Sequence, residues 1–205
     1  MSDFTKKIKG YTLEFYEDEH LYLVDGVIVP SITQILKIRF GNKYNAISES
    51  VLKRASKAGT LVHEAIENYC QNGIESDLPE LRGFKFLQKS FGFEVDDNEI
   101  PVILFDDGKP FAAGRIDLAI QINDELGLAD IKRTSVLDKD YLFYQLNLYR
   151  LAYAQSMPFE PTFLKAIWLR DEKRKIIDIP VNEAFAFQMI EDYKTGCENE
   201  SAESY

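Results

Sequence analysis

The sequence predicts an α/β fold: a central mixed β-sheet flanked by helices, with a small N-terminal β-meander and a helical segment ahead of it. Three observations lead there. Strand-like runs cover residues 94–105, 111–122 and 126–134 and return at 163–170 and 176–180, each bounded by turn residues. Segments of helical period stand before, between and after them. The chain has 205 residues, 45% of them hydrophobic and 13% aromatic, enough for one sizeable core.

Taken in order, residues 11–29 alternate apolar and polar around acidic turn residues, with Asp25-Gly26 as a turn, and read as short strands of a meander. Pro30-Ser31 stops the last strand, and Ser31 caps a short helix over 32–38. A helical pattern runs from Asn45 to Lys57, is broken or bent at Ala58-Gly59-Thr60, and resumes over 61–71 until Asn72-Gly73 ends it. A third helix spans about 79–90, with Gly92 as its stop. Three strands of an antiparallel meander follow, the first two joined by a turn at 106–110 and the last two by the two-residue loop Asn123-Asp124. A long helix covers 140–155, two more strands flank a charged turn at 171–175, and an amphipathic helix over 182–194 closes the fold. No repeat or linker divides the chain. Residues 1–195 read as one domain and 196–205 as an acidic, disordered tail.

Composition removes several classes of function. A net charge of −10 argues against coating nucleic acid by bulk electrostatics, though not against gripping a few phosphates locally. Cys70 and Cys197 are too few and too far apart for a thiolate zinc site or an iron-sulfur cluster. No run approaches the roughly 18 apolar residues of a membrane span, and the first residues lack a signal-peptide core, so a cytoplasmic protein without membrane contact is expected. Lys53, Arg54 and Lys57 form one of the few basic clusters, ordinarily a solvated face and alternatively a phosphate-contacting one.

The chemistry gathers on the hairpin. A two-residue loop at Asn123-Asp124 pairs Ile122 with Glu125 and sets Asp117 opposite Asp130, with Lys132 on the same face. Like charges directly opposite repel, and a divalent cation held by both carboxylates is the simplest compensation. His63 and Glu67 share a helix face upstream, and Gln145 and Tyr149 sit four apart on the following helix. His63-Glu64-Ala65-Ile66-Glu67 approaches the H-E-x-x-H zinc-protease pattern but lacks its second histidine. Hard cations, two acids and a lysine suit phosphodiester hydrolysis, with Lys132 orienting or deprotonating the water and the Ile131 carbonyl as a further ligand.

D-x12-D-I-K on a hairpin, with G-T-L-V-H on the helix before it and Q-x-x-x-Y on the helix after it, resembles the PD-(D/E)XK nuclease superfamily and within it the RecB-like branch. The segment from His20 through Pro30-Ser31-Ile32-Thr33 to Leu36 is similar to the N-terminal part of phage and mitochondrial exonucleases of that branch. The resemblance implies a restriction-endonuclease-like core and a DNA exonuclease acting on single strands or strand ends in recombination, repair or replication. It implies Mg²⁺ or Mn²⁺, one or two ions, bound by His63, Asp117 and Asp130, and Lys132 as the catalytic lysine. Gln145 and Tyr149 would support the site and contact DNA, Glu99 would support it from the preceding strand, and Arg133 and Thr134 would reach a phosphate. DNA is the implied partner, joined by a recombinase, helicase or single-strand-binding protein. Two rival functions are a catalytically silent nuclease-fold adaptor for a recombination partner and a structure-dependent endonuclease.

Overall fold

The computed structural model describes residues 3–41 and 48–202, arranged as two β-sheets and five helices. The first sheet is an antiparallel meander of β1 (Phe4–Ile8), β2 (Tyr11–Tyr16), β3 (Leu21–Val24) and β4 (Val27–Val29), paired in sequence order. The sequence pattern does not reveal β1, because Thr5, Lys6 and Lys7 interrupt its alternation and only Ile8 is buried. Its ladder to β2, from Phe4↔Phe15 to Ile8↔Tyr11, makes it a strand.

α1 (Ile32–Phe40) begins at Ser31 as the sequence predicts, and does so with a capping box. Ser31 Oγ accepts from Gln34 N at 3.1 Å, and Gln34 Oε1 accepts from Ser31 N at 2.7 Å. α2 (Glu49–Asn72) corrects the predicted break at Ala58-Gly59-Thr60: it is one helix of 24 residues. A glycine inside a helix costs only about 1 kcal/mol against alanine, and the packing of Val62 and Ile66 keeps the helix continuous past it. The predicted start at Asn45 lies outside the described residues. The left-handed stops at Gly73 and, after α3 (Pro79–Phe91), at Gly92 are present, with φ of 65° and 64°.

The second sheet holds β5 (Glu94–Asp106), β6 (Lys109–Ile122), β7 (Glu125–Lys132), β8 (Phe163–Arg170) and β9 (Lys173–Ile179), side by side in that order. Neighbours are antiparallel except β7 and β8, which run parallel across the crossover helix α4 (Lys139–Ser156), so the sheet is mixed as predicted. β9 starts earlier than its sequence suggests. The turn is Asp171-Glu172 alone, and Lys173, Arg174 and Lys175 are exposed residues of an edge strand, a place where charge protects against further pairing. α5 (Glu183–Ala202) continues through the start of the predicted tail, and at Gly196 a Cβ would stand 2.9 Å from Ile38 Cδ1, so the helix is still in contact with α1 there.

Helices cover both faces of the second sheet. α1, α4 and α5 pack on one face around Ile116, Leu128, Leu148 and Ala166, while α2 and α3 pack on the other around Ile66, Phe84, Ala129 and Ile167. Leu128 and Ala129 are neighbours in sequence on opposite faces, the period-two alternation of a strand buried on both sides. The meander rests on Ile103 and Ala113 as a third, smaller cluster. Among the described residues no helix is long and apolar enough to cross a membrane.

One local feature positions everything that follows. β6 and β7 pair from Ile122↔Glu125 to Leu118↔Ala129 and then separate. Beyond that point β7 continues against β8, whereas β6 has the segment before α1 beside it, with Ala113 N donating to Pro30 O at 3.0 Å. The sheet therefore forks, and the departing edge of β6 is where the N-terminal meander docks.

Candidate metal centre

Asp117 and Asp130 stand at the mouth of this fork. The turn is the predicted one, with Asn123 and Asp124 at φ of 52° and 65°, the pattern of a type I′ hairpin. Counting on from Leu118↔Ala129 puts Asp117 opposite Asp130, but the ladder ends one pair short. In place of the missing backbone pair, Asp117 Oδ2 accepts a hydrogen bond from Ile131 N at 2.6 Å. The expected direct cross-strand pair is thus replaced by a side chain gripping the partner backbone.

Glu99 reaches the same point from β5. The β5–β6 ladder passes from Asn98↔Leu118 to Ile100↔Ile116 without a pair at Glu99, whose φ is 49°. A left-handed conformation costs an L-residue about 1–2 kcal/mol, and strain of this kind concentrates at functional positions. The conformation brings the Glu99 carboxylate to His63 and Arg115: its Oε1 lies 3.7 Å from His63 Nδ1 and its Oε2 2.6 Å from Arg115 Nε.

His63 arrives from α2. Its Nε2 lies 3.1 Å from the Ile131 carbonyl, which can only accept, so Nε2 carries the proton and Nδ1 faces Glu99 and Asp117 Oδ1, each at 3.7 Å. Ligand atoms of His63, Glu99 and Asp117 all lie within 4.8 Å of one another. Burial opposes the imidazolium, but the Asp117, Glu99 and Asp130 carboxylates outweigh it and hold the His63 pKa at about 9.

Asp130 is almost fully buried on β7, and Lys132 Nζ sits 2.5 Å from its Oδ2. The ammonium is thus the charge partner of that buried oxygen. Burial and the nearby Asp117 push the Asp130 pKa up against the pull of Lys132. The Glu99 and Asp117 carboxylates and the His63 imidazole, with the Asp130 carboxylate beside them, are a donor set suited to a hard divalent cation.

α4 covers the cluster with residues four apart. Tyr141 and Tyr149 stand eight residues apart on it, and Tyr149 lines the cavity that His63, Glu99 and Asp117 also line. Between them Gln145 is buried with its Oε1 lacking a hydrogen bond. Tyr149 passes close to the sheet because position 114 is glycine: a Cβ there would lie 2.8 Å from Tyr149 Cε1 and 3.2 Å from Ile32 Cδ1. Gly114→Ala is expected to cost about 1–3 kcal/mol in chemical denaturation and to displace the Tyr149 ring.

The remaining sequence-derived residues are engaged differently. Ile131 is engaged through both backbone atoms, orienting Asp117 by its N–H and His63 by its carbonyl, the atom expected as a further ligand. Arg133 is bound to the buried Glu80 at 2.7 Å and to Asp171 at 3.1 Å, so its guanidinium ties α3 to the β8–β9 turn. The Thr134 carbonyl accepts from Trp168 Nε1 at 2.8 Å. Both residues line a separate cleft of about 900 Å³ together with Arg54 and Arg170, whereas Lys53 pairs with Glu49 on the exposed face of α2. Glu80→Ala should destabilise the chain by about 3 kcal/mol in denaturant titration, as removal of one partner of a buried ion pair does, with Mn²⁺ affinity unchanged.

Sequence reasoning gave Glu99 a supporting place and did not single out Arg115 or the meander residues. Phe15, Glu17, His20 and Tyr22, with Ser31, Thr33, Arg115 and Tyr149, line a cavity of about 390 Å³ shared with His63, Glu99 and Asp117. The signals in the sequence were Arg115, two residues before Asp117 and hence on the same strand face, and the His20–Leu36 segment, which contains His20, Tyr22, Ser31 and Thr33.

No family model matches the chain, and no curated protein matches it. Among solved structures it is similar to a protein described as SSO0001, at 16% identity and a TM-score of 0.48, over 82% of this chain and 75% of that one. It is also similar to an alkaline exonuclease, LHK-Exo, from Laribacter hongkongensis, at 12% identity and a TM-score of 0.49, over 85% of this chain and 89% of that one.

Proposed function

We propose that the chain is a divalent-metal-dependent deoxyribonuclease, an exonuclease of the RecB-like PD-(D/E)XK kind that hydrolyses phosphodiester bonds at single strands or strand ends. The observation that carries this reading is the convergence, at one fork in the sheet, of His63, Glu99 and Asp117 with the buried Asp130–Lys132 pair. Mg²⁺ or Mn²⁺ held by Asp117, Asp130, Glu99 and His63 Nδ1 would polarise the scissile phosphate and lower the pKa of a bound water.

The chain's own groups supply the rest. Lys132 Nζ orients the attacking water and balances negative charge as it develops, from a position where burial keeps its field strong. Asp130 keeps the ammonium charged: burial works against that charge, and the Asp130 and Asp117 carboxylates more than compensate, raising the Lys132 pKa. Ile131 fixes the directions of Asp117 and His63, so ligand geometry is set before substrate arrives. Tyr149 closes the cavity beside Gly114.

End-labelled single-stranded, duplex and closed circular DNA, each incubated with Mg²⁺ or Mn²⁺, test the reading. Degradation of linear DNA with circles left intact is expected. Failure on every linear substrate would overturn the activity, and cleavage of closed circles would make it an endonuclease.

A further inference from the structure

The cavity has two unlike walls. One is the ligand cluster on α2, β5 and β6; the other comes from the meander and the amino end of α1, through Phe15, His20, Tyr22, Ser31 and Thr33. Apart from the Glu17 carboxylate, which also lines it, this second wall presents groups that favour an anion.

Tyr22 is only 3% exposed, and its hydroxyl makes no hydrogen bond to any described residue, although it belongs to a residue lining the cavity. The ring is packed away while the hydroxyl, which is not one of the sealed-off atoms without a partner, opens on the cavity and is left to donate to a ligand there. Arg115 arches over the Phe15 ring, with its guanidinium carbon 5.6 Å from the ring centre, and uses Nε for Glu99. The other two guanidinium nitrogens form no ion pair or hydrogen bond among the described residues. His20 meets the same ring edge-to-face, 5.6 Å from it centre to centre and 6.0 Å from Tyr22, on a backbone held at φ 51°. Histidine is one of the few residues besides glycine that adopt this conformation readily, and here it accompanies an imidazole at the cavity. Burial, Arg115 and Lys37 all lower the His20 pKa, so the ring can donate one hydrogen bond while remaining neutral. α1 opens on the same wall, and its amino end adds a favourable field for negative charge.

We propose that Tyr22, His20, Arg115 and the amino end of α1 form a phosphate subsite, which holds a phosphate of the DNA strand while a neighbouring one lies at the metal cluster. This rests on the nuclease reading of that cluster. The subsite explains why the meander docks on the edge of β6 that the fork leaves open: it brings phosphate-binding groups to face the ligands. The phosphate can be an internal diester or a terminal monoester, and the two share the chemistry of the wall.

Tyr22→Phe and His20→Gln, neither of them a cation ligand, are the informative variants. Each is expected to raise KM for a short single-stranded oligonucleotide about tenfold, the loss of one hydrogen bond to a charged group, with kcat within twofold. Mn²⁺ affinity by calorimetry should not change. Oligonucleotides with and without a terminal phosphate separate the two sources: a KM change confined to phosphorylated ends marks the monoester, and an equal change marks the diester. Wild-type KM in both variants, with the wild-type enzyme active, would overturn the subsite. An inactive wild-type chain would instead sink the nuclease reading, and direct calorimetric binding of deoxythymidine monophosphate, weakened by Tyr22→Phe, would then support the subsite alone, with unweakened binding counting against it.

Discussion

Lys132→Ala is expected to lose DNA cleavage by at least about a thousandfold, and to gain more thermal stability from Mn²⁺ than the wild-type chain gains. Both effects follow from one contact. Lys132 Nζ is the cation beside the buried Asp130, which also feels the Asp117 carboxylate. Without it, two carboxylates at the fork share no nearby ammonium, and removal of one member of a buried pair costs about 3–5 kcal/mol. A divalent cation restores the missing charge, so the unfolding temperature should recover with Mn²⁺ while the rate does not, because the group that orients the water is gone. Cleavage of an end-labelled single strand, together with unfolding curves with and without Mn²⁺, measures both. A rate within tenfold of wild type would place the reaction elsewhere.

Asp117→Asn should separate architecture from ligation. The amide oxygen can still accept from Ile131 N, so the closure of the fork at 2.6 Å survives and the variant should unfold close to the wild-type temperature. The charge is lost, and with it the strongest carboxylate attraction on His63 and one hard ligand of the cluster. Mn²⁺ affinity is expected to fall at least about a hundredfold by calorimetry, and cleavage with it. Asp117→Ala, which also leaves the Ile131 N–H without a partner, should lose about 1–3 kcal/mol besides. Equal stability of the Asn and Ala variants would mean that the hydrogen bond across the fork contributes nothing.

The hairpin was legible because its information is local. Asn123-Asp124 tolerates the positive φ that a type I′ turn demands, and the turn fixes the register that follows. Alternation then placed Lys132 with Asp130, and helical spacing placed Tyr149 with Gln145. Glu99 was harder to value, because its place depends on a left-handed backbone and an interrupted ladder that no residue pattern near it announces. The double task of Ile131 is invisible in sequence, since backbone atoms carry it and an isoleucine reads only as core. β1 was hidden by its lysines, and the continuous α2 by a glycine whose cost is small beside the burial it interrupts. The second wall of the cavity depends on where the meander docks, a contact with β6 across three intervening helices and a strand.

The hairpin also acts as a ruler. The twelve residues between Asp117 and Asp130 consist of the five β6–β7 ladder pairs and the two turn residues, with none left over. One extra residue in β7 would turn Asp130 and Lys132 toward the opposite face of the sheet, onto the Ala129 and Ile131 side, where apolar packing awaits them, and one in β6 would turn Asp117 away from them. One extra residue in each strand would lengthen the ruler by a whole pair and return both acids to facing positions. While the turn keeps its two residues, the distance in sequence between the acids can therefore change only in even steps, and a chain that kept this centre but differed by an odd step would need a different turn or a bulge to absorb it.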